Sequence, residues 1–244
     1  MHIVPRLLLL VGLLTAAGCQ MKPPEGVLTI DPMGPYVAGA PMSPSPIPSE
    51  ARLAILEPGI DRFRIVAGKG EGETRAQTLT RAEDASAPWR LDNGAGQVQH
   101  LKRTGDGSLV MTAIEDQQHN VITRFETPLP VMPAVPPPGE PISVTTPIEV
   151  YRRDQLDEPM ATGESTLTLV HEADQRLRWA GRDLFARRFR VDYTGSFGVA
   201  TVQSMSVLFY VDKLGLLAEH YREQGNAFLV PWSKQYTMVR IPPE

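Results

Sequence analysis

The sequence predicts a mainly β protein: a curved antiparallel sheet, forming an open barrel or a sandwich and divisible into two β subdomains, behind a proline-rich N-terminal tether. Three observations predict it. Runs of alternating apolar and polar residues recur from about residue 63 to the C-terminus. Glycines and polar turns separate them at hairpin spacing. No segment after the first 19 residues holds an apolar period of 3.6.

Residues 1–18 read as a leader. Arg6 precedes the apolar run Leu7 to Leu14, and Thr15, Ala16, Ala17 and Gly18 supply small residues before Cys19. The apolar stretch is about 12 residues long, short of the roughly 20 that a membrane-spanning helix needs. Ala16-Ala17-Gly18-Cys19 resembles the lipobox of bacterial lipoproteins, with Ala16 in the place usually held by Leu. The resemblance implies a diacylglyceryl thioether on Cys19, cleavage after Gly18, and membrane lipid as the first partner. Cys19 is the chain's one cysteine, so no disulfide competes for it. Gln20 is not the Asp that retains such proteins at the inner membrane. The expected location is therefore the outer membrane, with the body facing the periplasm.

Residues 19–52 form the tether. Eight prolines between positions 20 and 50 favour extended backbone and cannot build a core. Residues 53–127 read as a first β part. Phe63 to Val66 leads into a glycine turn at 68–72, and Gln97 to Arg103, Ser108 to Ile114 and Asn120 to Glu126 follow as a meander. Prolines at 128, 130, 133, 136, 137, 138, 141 and 147 mark 128–147 as a linker or crossing loop.

Residues 148–244 read as a second β part. Leu167 and Leu169 alternate with threonines, and Leu177 and Trp179 with arginines. From Met205 to Val211 both parities turn apolar, as in a strand covered on both faces. Trp179, Phe185, Phe189, Phe209, Tyr210 and Trp232 are the candidates for an apolar core or cavity lining. Leu208 to Glu219 is similar to a strand–turn–strand of uncharacterised bacterial envelope β-proteins, with Gly215 kept and Lys213 where a first glycine is expected. Some of those resemble the curved-sheet lipoprotein-carrier fold, which implies a concave apolar face for acyl chains.

Chemistry is sparse. His100, His119, His171 and His220 lack the spacing of a metal pair, so no metal or cofactor is expected. No nucleophile elbow occurs, and Gly68 to Gly72 precedes no helix that would hold phosphate. Asp157/Glu158, Glu172/Asp174 and Glu219/Glu223 are the carboxylate pairs a hydrolase would draw on. A net charge of −4 gives no case for nucleic acid. The local anomaly is arginine: Arg176, Arg178, Arg188 and Arg190 could gather into one patch for an anionic ligand. The expectation is a non-enzymatic envelope lipoprotein that binds an amphiphile, a cell-wall polymer or an envelope protein. A scaffold lipoprotein without a small ligand is the alternative, and an envelope hydrolase stands third.

Overall fold

The computed structural model describes residues 40–48, 53, 56–82, 87–134, 137–227 and 230–242. Cys19, the leader and most of the tether lie outside the described residues. Every regular element among them is a strand: β1 (Gly59–Gly68), β2 (Thr74–Arg81), β3 (Trp89–Asp92), β4 (Gln97–Arg103), β5 (Leu109–Asp116), β6 (Val121–Met132), β7 (Pro141–Arg152), β8 (Ala161–Trp179), β9 (Arg182–Phe197), β10 (Ala200–Val211), β11 (Gly215–Ala227) and β12 (Val230–Arg240). Each pairs antiparallel with its neighbours in sequence, and β1 pairs with β12, closing a barrel. The mainly β, antiparallel expectation holds, but the sheet is closed where an open barrel or sandwich was expected. Closure pairs Phe63 with Arg240 and Ile65 with Met238. It satisfies both terminal strands, which would otherwise present unpaired edges. All twelve strands share one sheet, so the two β parts are not separate subdomains.

The 128–147 segment is also corrected. β6 runs on to Met132 and β7 begins at Pro141, so only a hairpin loop separates them. Pro128 and Pro130 sit where the β5–β6 ladder is irregular, while Pro141 and Pro147 stand in the regular β7–β8 ladder. Thr112 of β5 stands opposite a bulge of residues 125–128, between the pairs Met111–Leu129 and Ala113–Arg124. A residue without an N–H is tolerated at such places.

Register sorts the side chains. Leu167 and Leu169 of β8 pair with Tyr193 and Val191 of β9, and Phe189 pairs with His171. These join Leu101, Met111, Phe125, Leu129 and Ile148 in the barrel interior. Phe63, Ile65, Tyr236 and Met238 continue the same face. The opposite face of β7 and β8 is polar. Ser143 and Thr168 share a hydrogen bond of 2.9 Å, as do Thr145 and Thr166. A barrel that faces lipid carries an apolar band there; this face of β7 and β8 carries paired hydroxyls instead.

The sheet also folds over itself at one end. A bulge between His171 and Ala173 swaps the faces of the upper β8–β9 hairpin. Leu177, Trp179 and Ala186 then cover the outer face of Val207, Phe209, Val211, Ala218 and Val239. The Trp179 indole N–H donates to the Arg240 carbonyl at 2.8 Å, although β9, β10 and β11 separate β8 from β12 in the sheet. β10 is thus covered on both faces, as its double apolar parity predicts. Residues 40–48 of the tether pack on the body as well. Met42 bridges to Asp174, and Ile47 is buried in the interior cluster.

Candidate functional site: a cleft in the barrel wall

The ladder between β6 and β7 joins Val121–Phe125 to Ile148–Arg152 and stops there. Beyond it, β6 stays with β5 while β7 stays with β8. The two strands splay, and one side-chain tie crosses the gap, from the Thr127 N–H to the Thr146 hydroxyl at 2.7 Å. The opening is a cleft of about 740 Å³, within the range of roughly 300–1,000 Å³ typical of small-molecule sites. Its walls are Leu109, Val110, Pro128, Pro130, Ile142 and Val144, and Thr104, Asp106 and Ser108 stand at one end. Thr104 and Ser108 hydrogen-bond to the Asp106 carboxylate and hold it below the usual carboxylate range. Prolines at 128 and 130 on one rim and at 141 and 147 on the other give no backbone donors. An added β-strand would meet a broken ladder, whereas a hydrocarbon chain asks for no hydrogen bonds.

A polar knot lies at the folded-over end. Asp174 accepts from His171 Nε2 at 2.8 Å, from Arg187 Nη1 at 2.6 Å, and from the Ser45 hydroxyl at 2.5 Å and N–H at 2.9 Å. Burial pushes the Asp174 carboxyl up, but bonds from Ser45, Arg187 and His171 outweigh it and hold the group below the usual range. His171 is fully buried and stacks on Phe189 at 5.0 Å. The set contains Ser, His and Asp, yet the serine touches the carboxylate, and a nucleophile needs the imidazole. The knot fastens residues 40–48 to the barrel.

The sequence candidates scatter. Phe189 and Tyr210 face the interior and meet edge to face at 5.9 Å. Trp179 and Phe209 are buried in the fold-over cluster. Phe185 is 45% exposed, with Arg187 over its ring. Trp232 is 37% exposed at one mouth of the barrel. The bulge at 172 sends Arg176 and Arg178 to one face and Arg188 and Arg190 to the other, so the four do not form one patch. Arg178 pairs with Asp183, Arg188 with Glu172, and Arg190 with Asp192.

The carboxylate pairs fare no better. Asp157 and Glu158 are exposed in the β7–β8 loop. Glu172 and Asp174 fall on opposite faces across the bulge. Glu219 and Glu223 share the inner face, four residues apart on β11, and each is bonded within the strand pair: Glu219 accepts from Ser206 and Tyr236, and Glu223 from Tyr221 and Trp232. Among the described residues no three metal-ligating side chains come together. The cleft itself had one sequence signal, the proline cluster at 128–147, which reads equally as a linker.

No family model matches the chain, and no curated protein matches it. Among solved structures, the hypothetical lipoprotein YmcC of Escherichia coli K12 matches 78% of this chain and 90% of its own, at 11% identity and a TM-score of 0.32. The superposition is loose and assigns the chain neither a family nor a role.

Proposed function

We propose that this chain is a lipid-anchored, non-enzymatic binding protein of the bacterial envelope, which holds the apolar part of an amphiphile between β6 and β7. Cys19 would carry the anchor in the outer membrane, and the proline-rich tether would present the barrel to the periplasm. The observation that carries the reading is the splayed β6–β7 wall: an apolar cleft of about 740 Å³ with proline rims. The polar end at Thr104, Asp106 and Ser108 suits a headgroup that donates hydrogen bonds.

Two measurements test it. Cys19→Ala should move the protein from the membrane to the soluble fraction and abolish labelled fatty-acid incorporation. Retention of both would end the anchoring claim. A fluorescent fatty acid should bind the mature protein saturably, and Ile142→Trp or Ala134→Trp, which place an indole in the cleft, should weaken it about tenfold. Equal binding by these variants, at unchanged melting temperature, would remove the cleft from the reading.

A further inference from the structure

A second surface on the barrel is unrelated to the cleft. Register places Glu219, Tyr221, Glu223 and Gly225 of β11 beside Met238, Tyr236, Lys234 and Trp232 of β12, all on the inner face. They form a stripe running from the mouth at Trp232 into the interior. Tyr221 and Tyr236 stack at 5.0 Å. Arg75 caps the Tyr236 ring at 4.4 Å, and the Lys234 ammonium lies 5.6 Å from both tyrosine rings. The Tyr221 hydroxyl donates to Glu223, and the Trp232 indole N–H donates to the same carboxylate at 3.2 Å. Deeper, Ser206 and Tyr236 donate to Glu219 at 3.1 and 3.4 Å.

The mouth of the stripe is built for a flat ring. The six-membered ring of Trp232 rests on Gly225, where an added Cβ would lie 2.1 Å from it. One indole face is therefore seated on backbone, and the residue keeps 37% of its surface exposed. Around it, Glu223 and Lys234 offer acceptors and donors at fixed positions. The charges are mixed, with Glu219 and Glu223 beside Lys234, Arg75 and Lys69, so an ion of either sign meets its like. Glu219 is half-buried, and burial holds its carboxyl above the usual range while Ser206 and Tyr236 oppose the shift. Burial likewise pulls the Lys234 ammonium below its usual range, against the attraction of Glu223. An apolar platform beside paired donors and acceptors matches a pyranose, whose C–H face is apolar and whose rim of hydroxyls both donates and accepts.

We infer that the Trp232–Glu223–Lys234 mouth of the barrel is a binding site for a neutral saccharide chain, with one sugar ring stacked on the Trp232 indole and its hydroxyls bonded to Glu223 and Lys234. The test is titration of the full mature chain with neutral oligomers of glucose and of N-acetylglucosamine, and with anionic oligogalacturonate. The indole N–H resonances of the tryptophans are followed throughout. A neutral oligomer should shift the Trp232 resonance saturably. With binding read by calorimetry, Trp232→Ala and Glu223→Gln should each weaken it about tenfold, and Phe185→Ala should leave it unchanged. Fatty-acid binding should survive Trp232→Ala, which separates this site from the cleft. Saturation by oligogalacturonate alone, absence of saturation by both neutral series, or full binding by a folded Trp232→Ala protein would each overturn the assignment.

Discussion

At the residue scale, a few side chains carry more than their share. Asp174 is almost wholly buried, and its partners hold it ionised. Its carboxyl titrates lower in the folded protein than in the unfolded chain. Its contribution is therefore complete above the unfolded value, about 3.9, and is lost as pH falls through the folded one. Melting across pH 2–7 should show stability dropping below about pH 4. Asp174→Asn leaves Arg187 without its buried partner and should cost about 3–5 kcal/mol near pH 7, a gap that narrows on acidification. A constant gap across that range would refute the ionic account. Lys213 is a second case: its φ of 60° lies in the left-handed region at the β10–β11 turn. Lys213→Gly should raise stability by about 1 kcal/mol in denaturant titration. That position was legible, because the strand–turn–strand resemblance expects a glycine there. The Asp174 knot was not, since Ser45 and Asp174 stand 129 residues apart.

At the element scale, strand content and phase were legible and curvature was not. The double apolar parity of 205–211 identifies a strand covered twice, and β10 is such a strand. The arginine patch failed for a reason of the same scale. Alternation places Arg176, Arg178, Arg188 and Arg190 on faces only if both strands keep register. The bulge at 172 inverts one half. The fold-over of the β8–β9 hairpin rests on Trp179. Trp179→Ala should cost about 3–5 kcal/mol and speed amide exchange at 177–186. Trp179→Phe keeps the packing, loses the bond to Arg240, and should cost about 1 kcal/mol. Equal losses for the two would show that the hydrogen bond, not the packed ring, holds the hairpin down.

At the scale of the whole molecule, the meander was readable because each turn is local, and closure was hidden because β1 and β12 meet across most of the chain. β12 holds two ladders, to β1 and to β11. Removing residues 230–244 would leave β1 and β11 as open edges. Such a protein should lose its cooperative melting transition and associate, as read by light scattering. A monomeric, cooperatively melting truncation would mean that closure is dispensable. The proline cluster was seen in sequence but misplaced: it looked like a break between bodies and is a break within one wall. That break has a mechanical consequence. Elsewhere, admitting a guest through the flank of the barrel means unzipping rungs between neighbouring strands, each of which resists. Along the β6–β7 seam the rungs end at the Phe125–Ile148 pair although both strands run on, so a guest entering beyond that pair has no ladder to unzip.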